Sequence, residues 1–197
     1  IVESVVLDFT DPASLNISPA FTLNERLNFL SVGDIAICTD RKITQGLLTF
    51  SFGRGDYVEG VAINHFVELD EQTGDTITSL YSLAIRKWAT LTIEGEGCSL
   101  LSVSFEGDIG VLSSQGVGSM NTLTKTWSPN GIATSSAVFK NGANDDTRIY
   151  RIRVTYSRTP MPLTFLSASP ADGSVIDHAF TSMKLNFDLP VEIASSA

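Results

Sequence analysis

Between Thr147 and Tyr156 the chain reads TRIYRIRVTY, and no other run constrains the fold as strongly. Successive side chains of an extended backbone point to opposite faces. Tyr150, Ile152, Val154 and Tyr156 therefore share one side, and Arg151, Arg153 and Thr155 share the other. This is the pattern of a strand with one face buried and one face wet. The same two-residue period occurs upstream at Val5, Leu7, Phe9; at Ile35, Ile37; at Leu48, Phe50, Phe52; and at Val61, Ile63, Val67, Leu69. It continues at Tyr81, Leu83, Ile85; Leu91, Ile93; Leu101, Val103, Phe105; and Ala137, Phe139, which predicts about nine strands in all. Turn-forming clusters separate them: GRGD at 53–56, TGD at 73–75, GEG at 95–97 and NGANDD at 141–146.

A sheet with one apolar face must cover it, so the pattern predicts an all-β fold in which two antiparallel sheets pack face to face as a β-sandwich. The Cys, Trp, Cys spacing of an immunoglobulin core is missing, which favours a jelly-roll-like order. One helical signal stands out. Leu23, Leu27 and Leu30 recur at helical spacing, and Thr22 with Glu25 can form a capping box, so 21–30 is expected to be a short helix or turn. At Ser157–Pro162, SRTPMP, two prolines remove ladder donors and hold the chain extended. The predicted organisation is a sandwich over 1–157, then a linker and a short fragment over 158–197. In that fragment Met183, Leu185, Phe187 and Leu189 alternate as a strand after a turn at Pro170–Gly173. A piece of this size cannot bury a core alone, so it is expected to pack on the first domain or on a neighbour, or to continue in a longer chain.

Thirteen basic against twenty-two acidic residues give a net charge of -9, which disfavours nucleic acid and anionic lipid as partners. Arg148, Arg151, Arg153 and Arg158 form the one basic concentration, and interleaved charge of this kind reads as a solvated strand face. No apolar run approaches the roughly 20 residues that cross a bilayer, so a soluble chain without membrane insertion is expected. Cys38 and Cys98 can form a disulfide in an oxidising compartment or remain two buried thiols; spacing leaves both open. A start at Ile1 suits a processed secreted protein or an excised domain.

Several runs carry a resemblance: WATLTIEG from Trp88, LLSVSFEG from Leu100, TKTWSPNGIATSSAVFKNG from Thr124, and TRIYRIRVTY itself. Together with the opening LDFTDPASLN from Leu7, they resemble a β-sandwich module of secreted and surface proteins of Gram-negative gut anaerobes. The tail SASPADGSVIDHAFTSMKLNFDLPV, from Ser167, is similar to the first strands of a bacterial Ig-like domain. The resemblance implies an extracellular or cell-surface location and a carbohydrate-binding, adhesive or spacer role, and it brings no catalytic residues with it. The chain departs from the module after Trp127, where Ser128, Pro129, Asn130 and Gly131 make a longer turn.

Sugar recognition by a sandwich needs an aromatic plane for the apolar C–H face of the ring, with polar groups at its rim. Trp88 and Trp127 are the two candidates, although either residue also suits a core position. Asn141, Asn144, Asp145 and Asp146 offer hard oxygen ligands for Ca²⁺, but their spacing is not that of an EF-hand and fits an Asx-rich turn better, so no cofactor is expected. Arg54-Gly55-Asp56 spells the integrin-recognition tripeptide, which arises often by chance. Glu94, Glu96, Glu106 and Asp108 are close enough in sequence to suggest a glycosidase pair. They flank turns, where acids are simply soluble. His65 shares its strand face with Val61, Ile63 and Val67, which suggests a partly buried structural histidine, and His178 is remote in sequence. Without a nucleophile elbow or a His/Cys cluster, the expected function is non-catalytic.

Overall fold

A computed structural model describes residues 1–25, 32–69, 72–73, 75–142, 144–158, 165–169 and 184–187. The chain divides into two compact units, Ile1–Thr159 and Pro160–Ala197. The first unit is an all-β sandwich of two antiparallel sheets. One sheet holds β11 (Ser119–Asn121), β12 (Thr126–Ser128), β9 (Cys98–Asp108), β14 (Arg148–Arg158), β7 (Thr76–Ile85), β6 (Val61–Leu69) and β3 (Val32–Ile37) in that order, with β1 (Val2–Asp8) paired to β14. The other runs β10 (Leu112–Gln115), β13 (Ser136–Asn141), β8 (Thr90–Gly95), β5 (Leu48–Gly53), β4 (Lys42–Gln45) and β2 (Ile17–Ser18). Consecutive strands switch sheets repeatedly, as at β3–β4, β5–β6, β7–β8, β9–β10 and β13–β14, and this gives the sandwich its jelly-roll-like character. In the second unit β15 (Phe165–Ser169) pairs antiparallel with β16 (Lys184–Phe187).

Side chains of the two inner faces fill the space between the sheets. Phe50, Leu91, Ile93 and Phe139 come from one sheet and Ile63, Leu83, Val103, Ile152 and Val154 from the other, all buried. The nine expected strands are all present. β2, β4, β10, β11 and β12 add to them and run two to four residues each, too short to show a period.

Two registers differ from simple alternation. On β14 Ile149 pairs with Gly107 and Arg151 with Glu106, so Tyr150 is an extra residue and Ile149 takes the buried position expected for it. On β9 Ser102 pairs with Thr155 and Leu100 with Tyr156, so Leu101 is extra. Leu100 is buried while Leu101 is exposed.

The helix expected over 21–30 is not formed where it is described. Asn24 makes an isolated bridge with Ile35, exchanging backbone hydrogen bonds of 3.2 and 3.1 Å. Phe21 and Leu23 pack on the core from this extended segment, and tertiary pairing prevails over a short helical period there. Residues 26–31 lie outside the described set. Cys38 and Cys98 are both buried free thiols. Cys38 follows β3 and Cys98 opens β9, at opposite ends of the sandwich, so they do not form a disulfide. Burial pushes the Cys38 thiol up to about 12.

Strand β1 is fastened to β14 by charge as well as by its ladder. The Glu3 carboxylate accepts hydrogen bonds from the Tyr156 hydroxyl at 2.8 Å and from Arg158, and these hold it below its ordinary value of 4.5. Burial pushes Asp8 up, but hydrogen bonds from Thr10 and Arg151 outweigh it and leave the carboxyl below 3.8. A carboxyl depressed in the folded state adds stability that is complete above its unfolded value and disappears as pH falls through the folded one. Acidification below about pH 4 is therefore expected to lower the amide protection factors along β1 before those of the rest of the sheet. Glu3→Gln combined with Asp8→Asn should remove much of that acid response. A double variant with an unaltered acid transition would refute the assignment.

Candidate functional site

The connections 38–41, 54–60, 86–89 and 109–111 and the segment after β13 gather at one end of the sandwich. Backbone hydrogen bonds join them: Cys38 N–H to Val61 O at 2.8 Å, Arg86 N–H to Gly60 O at 3.0 Å and Asp56 N–H to Lys87 O at 3.0 Å. Trp88 sits at the tip of the β7–β8 turn with φ +61°, in the left-handed region, and 42% of it is exposed. For a bulky residue that conformation costs about 1–2 kcal/mol, so the surroundings must hold it.

They do so from two sides. Trp88 N–H donates to Asn141 O at 2.8 Å, and Asn141 N–H donates to Ala89 O at 3.2 Å. The buried Asn141 amide donates further to Ile85 O at 2.7 Å and to Asp145 O at 2.9 Å. On the other side Gly55 lies against the turn so closely that a Cβ there would be 2.0 Å from Lys87 O, and only glycine fits. Charged groups surround the indole. Lys140 Nζ lies 5.0 Å and Lys87 Nζ 6.0 Å from the ring centroid. Lys87 also pairs with Asp56 at 3.4 Å, and Arg86 with Asp146 at 3.5 Å. Burial pushes the Asp146 carboxyl up, against the pull of Arg86.

The other sequence candidates fall elsewhere. Trp127 is fully buried and cannot stack on a ligand: it meets Phe139 edge-on at 6.2 Å, and its indole N–H donates to Val117 O at 3.2 Å. A polar turn at 128–131 follows it, but the pairing of β12 with β9 places Trp127 beside Val103 in the inner layer. Asn141, named among Ca²⁺ ligands, spends its amide on backbone carbonyls, and among the described residues no group of three or more His, Cys, Asp or Glu side chains can hold a metal. Arg54 pairs with Asp40 at 2.7 Å and Asp56 with Lys87, so both charges of the tripeptide are engaged within the chain. Glu94, on β8, and Asp108, at the end of β9, lie toward opposite ends of the sandwich, and Glu106 pairs with Arg151 at 3.0 Å. Arg151 and Arg158 bind carboxylates, Arg148 lies 4.6 Å over the Phe66 ring, and Arg153 is exposed.

One constellation is not legible in the sequence. His65 stacks on Tyr81 with centroids 4.2 Å apart, and its Nε2 shares a 2.7 Å hydrogen bond with Ser79 Oγ. The Tyr81 hydroxyl donates to Asp34 at 3.3 Å. These are the residue types of a hydrolytic triad, brought together by a β3 bulge that sets Gly33 and Asp34 opposite His65. The spacing is not that of a triad, because 4.0 Å separates His65 Nδ1 from Asp34 Oδ2, beyond hydrogen-bond reach. Stacking, not Asp34, orients the imidazole, and the cluster ties β3, β6 and β7 together. His178 lies outside the described residues.

The fold and this end of it define an all-β antiparallel sandwich with an aromatic, cation-flanked turn at one pole. Comparison with protein-family models, curated proteins and solved structures finds no match. Among the described residues no helix is long and apolar enough to cross a membrane.

Proposed function

We propose that this chain is a non-catalytic, carbohydrate-binding module of a secreted or cell-surface protein, and that it holds a sugar over Trp88. One observation carries the reading: an exposed tryptophan is kept in a left-handed backbone conformation by two neighbouring segments. A turn that needed only positive φ is served more cheaply by Gly or Asn. A rigid indole at the pole gains nothing for the core and suits the C–H face of a pyranose. The resemblance to surface β-sandwich modules points the same way.

Trp88→Ala is expected to weaken glycan binding at least about tenfold, or 1.4 kcal/mol, on an array and in titration calorimetry, with the unfolding midpoint unchanged. Because Trp127 is buried, the fluorescence change on binding should come from Trp88 alone. Undiminished binding by the variant would sink the assignment. A second reading, a structural spacer in a multidomain surface protein, is favoured by the division of the chain at Thr159/Pro160. Silence of the intact chain across the array would support that role, and turnover of a polysaccharide would contradict both.

A further inference from the structure

We propose that the glycan held at Trp88 is acidic, its carboxylate or sulfate taken by Lys140. This inference rests on the sugar-binding reading above and adds the substrate class. The chain carries a net charge of -9, so a general affinity for anions is not expected, yet two lysines converge on one exposed indole. They are not equivalent. Lys87 has Asp56 within 3.4 Å, whereas Lys140 has no ion pair among the described residues and approaches the ring more closely, at 5.0 Å.

An ammonium over an exposed indole is attracted by the ring quadrupole. A neutral sugar that stacks on the same plane must push Lys140 aside and offers it no charge in exchange. An acidic sugar compensates: its anionic group forms a charge-assisted hydrogen bond with the displaced ammonium while its C–H face meets the ring. The four-carbon stem of lysine permits that swing without a backbone change. Lys140 sits near the end of β13, directly before Asn141, so the same buried amide that fixes the turn also fixes the base of the lysine.

The test uses the intact chain with polygalacturonate (carboxylate), dextran sulfate (sulfate) and uncharged dextran and galactan, by affinity electrophoresis and calorimetry at low and high salt. At least one acidic polymer should bind tenfold or more tightly than both neutral ones, with affinity falling as salt rises. Which acidic polymer binds distinguishes carboxylate from sulfate. Lys140→Gln should reduce acidic binding about tenfold and Lys140→Arg should retain most of it, both with unaltered circular dichroism and melting. Trp88→Ala should abolish it. Neutral polymers bound as tightly as acidic ones, or Lys140→Gln without effect, would overturn the acidic class and leave Trp88 binding intact. Acidic binding that survives Trp88→Ala is ion exchange and also overturns it. If no polymer binds and Trp88 fluorescence never changes, both readings fall.

Discussion

Replacing Trp127 by alanine is expected to destabilise the first unit by about 3–5 kcal/mol, a large part of the 5–15 kcal/mol typical of a domain. The side chain is fully buried and packs edge-on against Phe139, which in turn meets Phe105 edge-on at 5.0 Å. Removing it opens a cavity that three strands from two sheets cannot close without losing register. It also strips Val117 O of its indole donor, in the loop that carries β10 into β11. Gly118 allows this approach, since a Cβ there would lie 2.4 Å from the indole nitrogen. Urea unfolding monitored by circular dichroism measures the effect, read as a shift in midpoint at constant slope. A loss under about 1 kcal/mol would show that the ring is not a core element. Trp88→Ala, by contrast, removes an exposed ring from a strained backbone and is expected to leave stability nearly unchanged.

Asn141→Ala is the second large effect, about 1–3 kcal/mol, because the Ile85 carbonyl keeps only its longer hydrogen bond from Thr147 N–H, at 3.3 Å, and Asp145 O loses the amide donor. Here stability and site are linked. The same amide holds Asp145 O, and the Asn141 backbone exchanges hydrogen bonds with Trp88 and Ala89 across the pole. The variant should therefore show more acrylamide quenching of Trp88 as well as a lower unfolding midpoint. Asn141→Asp, which preserves shape but removes the two donors, should behave similarly. Wild-type stability in both variants would remove Asn141 from its role as the anchor of the turn.

Side chains that alternate strictly made the long strands legible. At β5 the buried residues are Leu48, Phe50 and Phe52, and at β8 they are Leu91 and Ile93, as the two-residue period requires. Where the period broke, sequence reading placed the wrong residue inside. Tyr150 and Leu101 look like core positions in isolation, but each is the extra residue of a bulge, and a bulge is a property of two strands together. The helix expected over 21–30 failed where it is described, because the pairing of Asn24 with Ile35 depends on a segment distant in the chain.

The candidate site divides in the same way. Trp88 was named from its residue type, whereas nothing in the sequence joined it to Lys140 and Asn141, 52 and 53 positions further along. Trp127, the tryptophan followed by a polar turn, is the one in the core. Polarity of the following residues reports where the chain turns, but it does not report which way the indole points.

Local information, namely side-chain alternation and turn chemistry, was enough to determine an all-β chain with sheets that must cover one another, because burial of every second residue is a constraint between near neighbours. Pairing between strands far apart in sequence decided which indole faces water, where the bulges fall and which lysine reaches the exposed ring. Those outcomes depend on register and on which loops share an end of the sandwich, and register exists only after the sheets have assembled.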